Sequence, residues 1–434
     1  MKHKILFILA ATLIVHRLEA QESRSLTLGE AIDLSIKNSK QLKVNEARIN
    51  EAVSAIHEAE EKRLPDAGIS TSYLYLPFSP NIHYSNDTSS KRNSPKISQV
   101  IYGMASVSVP VYSGGKLRYG IESAKYLEQA TRLDAESDRT ALIMNTISAC
   151  VNLFKAKEAI ELYKENLEES IQRLKDLSSL EKNGLLARNE LLKASLQKSD
   201  VELELLDAQS NYTLACVNMN LMMGLPEQTI LIPDKSGLEL PDSIKTINAY
   251  EQDALNRRND IAAVSIRKKA AETGLKSVKA NAYPNIALTG GYIAADLPGY
   301  LSITNAINVG LGIKYNLSSI WKNKTSIQQS EAKIKEIALG KEILNDQVRL
   351  QVNQAYQHYL VCKKKIEVYL SAVEQATENY RITKNKYNNS LATTTELLDA
   401  DVALLKSKLY VTDAKADAFL AYKRILYTSG LLTN

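Results

Sequence analysis

Val107-Ser108-Val109-Pro110-Val111-Tyr112-Ser113-Gly114-Gly115-Lys116 changes its periodicity midway. Up to Tyr112 the apolar residues fall at every second position, the pattern of a strand with one apolar face. From Lys116 to Lys182 there is no proline, and the stretch reads as one very long helix. The same switch recurs later. Ile307, Val309, Leu311, Ile313 and Tyr315 alternate with Asn308, Gly310, Gly312 and Lys314, and a proline-free helix is predicted from Ser319 to Tyr387. At ~1.5 Å per residue, helices of this length span on the order of 100 Å, deeper than any globular core.

The chain is written twice. Ser35 to Leu42 corresponds to Ala254 to Ile261, and Arg63-Leu64-Pro65 to Ala282-Tyr283-Pro284. Asn183-Gly184-Leu185 corresponds to Asn389-Ser390-Leu391, Glu190 to Ala194 to Glu396 to Ala400, and Gly224-Leu225 to Gly430-Leu431. Each copy reads helix, strand, loop, strand, very long helix, shorter helix. The first helices are predicted as continuous from Leu28 to Lys62 and from Asn248 to Ala282. Thr27 is the expected N-cap of the first, with Glu30 three residues on. The extra length of copy one falls between Tyr73 and Val107, a segment rich in Pro, Asn and Ser that reads as a long loop. The expected organisation is a signal peptide over 1–20, a first repeat over 21–225, a linker over 226–245 and a second repeat over 246–434.

Composition excludes several classes. Of 434 residues, 17 are Gly, 10 are Pro and 3 are Cys, so neither a collagen nor a disulfide scaffold is possible. Mean hydropathy is −0.22 and no apolar run reaches membrane-helix length. The net charge of +5 comes with no basic block, so no nucleic-acid partner is expected. Lys2 and Lys4 before the apolar run Ile5 to Val15, with Ala20 at the end, read as a secretory signal. Cys150, Cys216 and Cys362 read as small core residues. His57, His83 and His358 have no metal-ligand spacing, so neither metal nor cofactor is expected. Ser113-Gly114-Gly115-Lys116 lacks the spacing of a phosphate loop. Gly114 and Gly115 instead read as a strand-to-helix hinge. No catalytic arrangement emerges, and no enzyme is expected. Trp321 follows a strand and is a candidate for a membrane-interface belt.

The last helix carries two adjacent seams. Leu398, Val402, Leu405, Leu409, Thr412, Ala416 and Phe419 form a bulky one. Ala400, Leu404, Ser407, Val411, Ala414, Ala418 and Ala421 form a small one. A helix with two seams can contact a neighbour on each side. The strands carry one apolar and one small or polar face, which in a secreted chain fits an outer-membrane barrel. Four strands cannot close a barrel, and open edges are not tolerated in lipid, so the barrel must be shared between chains.

With these features the chain resembles the TolC-like outer-membrane efflux protein family. The resemblance rests on the doubled layout, the Pro65 and Pro284 junctions, Val109 to Lys116, and the two matched turn segments. It implies a mainly α fold with a small transmembrane β part. In such a fold a homotrimer builds a 12-stranded β-barrel, four strands per chain, above an α-barrel tunnel in the periplasm of a Gram-negative cell. It further implies an exit duct for a tripartite efflux pump or type I secretion system. Its partners would be outer-membrane lipid, a periplasmic adaptor and an inner-membrane transporter of RND, ABC or MFS type. By the resemblance, Gly184, Leu185, Ser390 and Leu391 are adaptor-docking tips, with Ser390 in place of the usual glycine. Glu396 and Asp399 match a pair of acids lining the closed aperture. The alternative reading is a periplasmic coiled-coil adaptor, which carries a single helical hairpin.

Overall fold

The computed structural model describes residues 23–79, 97–234, 239–299 and 301–433. The signal-peptide reading, His83 and most of the long loop lie outside these residues. In chain order the elements are β1 (Ser23–Leu26), α1 (Leu28–Asn38), α2 (Lys40–Glu61), β2 (Asp66–Tyr75), β3 (Gln99–Tyr112), α3 (Lys116–Lys182), α4 (Arg188–Met223) and β4 (Ile230–Pro233). There follow α5 (Ile247–Arg257), α6 (Asn259–Lys279), a 3-10 turn (Ala280–Ala282), β5 (Asn285–Leu297), β6 (Leu301–Lys314), α7 (Ser319–Asn388) and α8 (Thr394–Thr428).

The two proline-free stretches form single helices of 67 and 70 residues. The first helix of each repeat, expected to be continuous, is broken once. Ser39 leaves the helical region with ψ 119°, and Arg258 does so with ψ 127°. The Ser39 hydroxyl accepts the Leu42 amide at 3.2 Å and starts α2 afresh. The breaks are set by tertiary packing. Gly224, at φ 69°, sits where an added Cβ would come within 3.0 Å of Asn38 Cβ. Gly430, at φ 68°, sits where one would lie 3.2 Å from the Arg257–Arg258 backbone. The closing glycine of each repeat thus lodges against the break in that repeat's own first helix. Thr27 caps α1 as expected, accepting from the Glu30 amide at 3.2 Å. The Glu30 carboxylate does not turn back to complete the box; it pairs with Arg24.

The linker also differs from expectation. Ile230–Pro233 is a strand, β4, paired in parallel with β1 at the start of the described chain. A run of three apolar residues is too short to announce a strand without its distant partner.

Two compact units cut across the repeats. One comprises Met1–Glu46, Leu133–Ile261 and Ile343–Asn434; the other comprises Ala47–Arg132 and Ala262–Glu342. Each draws on both copies of the sequence.

The helical unit has three apolar clusters. Leu26, Ala149, Leu153, Cys216, Met219 and Leu231 join β1, α3, α4 and β4. Ile32, Ile147, Val151, Ala416 and Phe419 join α1, α3 and α8. Tyr250, Val352, Tyr359, Ala418 and Ile425 join α5, α7 and α8. The two seams of α8 therefore serve different neighbours: the bulky one faces α1 and α3, the small one α5 and α7. The three cysteines are free and packed among these helices. Burial pushes the Cys150 thiol up to about 12 and raises those of Cys216 and Cys362, so all three stay protonated and unreactive.

The other unit holds a four-stranded antiparallel sheet in the order β2-β3-β5-β6. The period-two pattern aligns across it. Ala67, Val107, Gly290 and Val309 are successive partners, as are Ile69, Ala105, Tyr292 and Ile307. Between these rows lie Gly68, Ser106, Gly291 and Asn308 on the opposite face. β3 begins at Gln99, eight residues before the Val107 at which the alternation becomes clear. At the β3–α3 junction, Gly114 and Gly115 have φ of 60° and 86°. A Cβ on Gly114 would lie 2.6 Å from Tyr283 Cβ.

Candidate functional site: helix turns and exposed sheet

Two features of the molecule have no partner among the described residues: the tight turns joining the long helices, and the faces and edges of the sheet.

The turns are built alike. At the α3–α4 turn, the Leu185 amide donates to Leu180 O at 2.9 Å and the Gly184 amide to Glu181 O at 2.9 Å. At the α7–α8 turn, Leu391 donates to Lys386 O at 2.8 Å and Ser390 to Tyr387 O at 2.9 Å. This is a Schellman closure, which needs a left-handed residue at the position after the helix. Gly184 supplies it at φ 72° and Ser390 at φ 59°. Ser390 therefore keeps the left-handed turn that Gly184 makes in copy one, at the cost of crowding its Cβ. The following leucines, 74% and 76% exposed, project from the two turns.

The helices leaving the turns start differently. α4 has no side-chain cap at Ala187. α8 has a full capping box: the Thr393 hydroxyl accepts the Glu396 amide at 3.2 Å, and the Glu396 carboxylate accepts the Thr393 amide at 2.7 Å and its hydroxyl at 3.0 Å. The backbone N–H and the hydroxyl of Thr393 hold the Glu396 carboxyl below its usual range. Glu396 is thus first a helix-capping group, a role the sequence reading did not give it. Asp399 is exposed one turn on. In copy one, Lys193 contacts Glu190 at 3.0 Å and reaches the Thr395 hydroxyl at 3.1 Å, joining the first turns of α4 and α8. Lys193 and Thr394 lower the Glu190 carboxyl.

Beside the turns lies a buried polar cluster that sequence reasoning missed. Arg173 on α3 donates to Asp401 on α8 at 2.9 Å and to the Tyr380 hydroxyl on α7 at 3.3 Å. The Asn166 amide donates to Asp401 at 3.3 Å. Burial works against the Arg173 charge, but the hydrogen bond and charge of Asp401 outweigh it and raise the guanidinium further. The signal was present: Asp401 stands four residues from both Leu397 and Leu405, hence on the buried face.

The sheet exposes one apolar face. Ile69, Ile307, Val309, Leu311 and Ile313 are all strongly exposed. Tyr112, Tyr283, Tyr315 and Trp321 stand exposed at the end of the sheet that meets the helices, Tyr73 and Tyr75 toward the other. Ile286 and Asp296 lie ten positions apart along β5. That is roughly 34 Å along the strand. The outer edges of β2 and β6 have no strand partner among the described residues.

Among the described residues, no group of three or more His, Cys, Asp or Glu side chains could hold a metal. No helix of the described residues is long and apolar enough to cross a membrane. His57 lies 3.9 Å from Glu60, and His358 lies 3.6 Å from the Cys362 sulfur.

A model of the outer membrane efflux protein family matches residues 31–225 and 251–427. Solved structures share the fold. The outer-membrane channel OprN has TM-score 0.75 at 17% identity over 93% of this chain and 89% of its own. VceC from Vibrio cholerae has TM-score 0.73 at 18% identity over 93% and 96%. A membrane protein from Pseudomonas aeruginosa has TM-score 0.78 at 15% identity over 93% and 90%. No individual curated protein sequence shows significant similarity to the chain.

Proposed function

The chain belongs to the outer membrane efflux protein family, and from that premise we propose that three copies form the exit duct of a tripartite pump, taking cargo from an inner-membrane transporter through a periplasmic adaptor. It is an outer-membrane efflux channel, and the family match disfavours the adaptor alternative. The finer reading rests above all on one observation: a four-stranded sheet with an exposed apolar face and two open edges. In lipid every backbone N–H and C=O must be paired. β2 of one copy against β6 of the next would satisfy both edges, and three copies would close a 12-stranded barrel.

The helical unit offers matching edges. α3 contacts both α4 (Tyr163 to Glu204, 3.1 Å) and α8 (Lys155 to Asp417, 3.1 Å). α8 also packs on α7, with Tyr359 against Tyr422. On α4, Leu192, Leu196, Leu203, Leu206, Leu214 and Leu221 stay exposed at near-heptad spacing. On α7, Ile343, Leu350, Val361 and Val368 do the same. Two unsatisfied seams on two helices suit a ring in which α4 of one copy meets α7 of the next.

Gly184-Leu185 and Ser390-Leu391 are proposed as adaptor-docking tips, their leucines being apolar anchors on rigid Schellman turns. Glu396 and Asp399 are proposed as the aperture pair. The depressed Glu396 carboxyl is ionised at neutral pH, so three copies would set six carboxylates around the axis. Gly114 and Gly115 are proposed as the strand-to-helix hinge. The channel itself catalyses nothing in this scheme.

Conductance of purified protein in planar bilayers tests the reading. A small, stable conductance blocked by divalent cations is expected, and it should rise in the Glu396→Ala/Asp399→Ala variant. Absence of conductance from a protein extracted as an outer-membrane trimer refutes the duct, and unchanged cation block in the variant refutes the aperture.

A further inference from the structure

Because the chain is written twice, each helix of one repeat has a counterpart in the other. Counted from the matched turns Asn183-Gly184-Leu185 and Asn389-Ser390-Leu391, α3 corresponds to α7 and α4 to α8. Packing inside the repeats keeps this match. Ala149 and Leu153 of α3 share a cluster with Met219 of α4, and their counterparts Ala355 and Tyr359 of α7 share one with Ile425 of α8. The contact between the repeats has no such twin among the described residues. Leu420 and Tyr427 of α8 pack against the cluster that contains Ile143 and Ile147 of α3. Their counterparts on α4, Leu214 and Leu221, are strongly exposed. The α4 seam is therefore built like the α8 seam but lacks the helix that α8 has.

Charge separates the two seams. Across α3–α8, Arg173 pairs with Asp401 at 2.9 Å, Lys155 with Asp417 at 3.1 Å and Asp413 at 3.4 Å, and Glu165 with Lys408 at 3.2 Å. The counterpart of Arg173 is Asn379 and that of Asp401 is Ser195. Val361 stands in place of Lys155, Ser371 in place of Glu165, and Glu202 in place of Lys408. None of these charge pairs can form between α4 and α7.

The mismatches decide what each helix accepts. α4 seated on α3 would leave Arg173 buried opposite Ser195 and set Glu202 against Glu165. α8 seated on α7 would bury Asp401 opposite Asn379 and place Asp413 and Asp417 beside Val361. A buried charge deprived of its partner loses far more than an intact pair gains, and such penalties discriminate between partners as much as attraction does. α4 seated on α7 sets Ser195 opposite Asn379 and strands no buried charge at this level. We propose that the α3–α8 charge pairs are a pairing code: they keep α8 on α3 and leave the α4 seam to α7 of a second copy, so that first and second repeats alternate around the ring. The code rests on the trimeric duct proposed above.

The test is native mass spectrometry of the full chain extracted from outer membranes. Ser195→Asp and Asn379→Arg each put an unpaired charge between copies and should lower trimer recovery by at least about tenfold; the double variant should restore it to within about twofold of wild type. Arg173→Asn/Asp401→Ser gives the α3–α8 contact the uncharged residues of its counterpart. It should yield several oligomeric species, and the reversed pair Arg173→Asp/Asp401→Arg should return the single species of wild type. Loss of the trimer in both Ser195→Asp and Asn379→Arg without rescue in their double overturns the code, as does a trimer that all these variants leave unchanged. A wild type that is not a trimer undercuts the duct itself, and that result is read before any variant is compared.

Discussion

Breaking the Arg173–Asp401 pair should loosen the first half of α8 by several kcal/mol. The two side chains are 11% and 2% exposed and 2.9 Å apart. At an effective dielectric near 20 their attraction is about 6 kcal/mol, most of it offset by the cost of taking both charges out of water. The net worth of the intact pair is therefore small. Removing one partner is different, because it leaves a buried charge uncompensated, at about 3–5 kcal/mol. Asp401→Leu and Arg173→Met should each have that effect, and the double variant should be less destabilised than either single, since it buries no charge at all. Amide hydrogen exchange of the detergent-solubilised protein, followed by mass spectrometry over 394–409, is the assay. At ~1.4 kcal/mol per factor of ten, the single variants should exchange roughly a hundred- to several-thousand-fold faster there. Lys364→Ala is the control: its partner Glu367 is exposed, and exchange over 394–409 should stay at the wild-type rate. Single variants that change exchange less than tenfold, or a double variant as loose as the sum of both, would refute the reasoning.

Three further outcomes follow from the turns and junctions. Ser390→Gly should stabilise the α7–α8 turn by about 1 kcal/mol, because φ 59° costs a side chain and not a glycine; slower local hydrogen exchange around 386–394 is the readout. Gly114→Ala should destabilise by roughly 2–4 kcal/mol, from the left-handed φ plus the 2.6 Å approach to Tyr283, and should reduce assembled protein in unheated gels. Thr393→Ala should loosen the start of α8 by about 1 kcal/mol. Because the folded Glu396 carboxyl lies below its unfolded value, the capping box contributes fully above the ordinary carboxylate range near pH ~4.3 and is lost as pH falls through the lower folded value. Hydrogen exchange over 393–397 should converge between wild type and Glu396→Ala as the pH is lowered through that window, while the loosening in Thr393→Ala, which removes the hydroxyl that accepts the Glu396 amide, should persist.

Periodicity made much of the fold legible. Two proline-free runs could only be long helices, period-two stretches with Gly and Ser on one face could only be strands, and the repeat told which elements correspond. The left-handed turn at Gly184 was legible from glycine followed by leucine, and the same turn at Ser390 from its match to copy one. Other parts were not, for identifiable reasons. The breaks at Ser39 and Arg258 leave no local mark, because the helix yields there to Gly224 and Gly430 arriving from 185 and 172 residues away in sequence. β4 exists only because β1 lies beside it. Thr393 and Glu396 show a capping box in the sequence itself, since a threonine followed three residues later by a glutamate is its signature.

The sequence by itself determined which segments are helix and strand, which residues occupy the two seams of α8, and that the sheet has an apolar and a polar face. Those are properties of local periodicity, and periodicity is written one residue after another. Only the tertiary structure decided that β3 pairs with β5 and unites the hairpins into one sheet, that α8 turns its two seams to different helices, and that Asp401 is buried against Arg173. Those depend on residues brought together from distant parts of the chain, where the balance of burial, charge and hydrogen bonding is set by neighbours that no local pattern names.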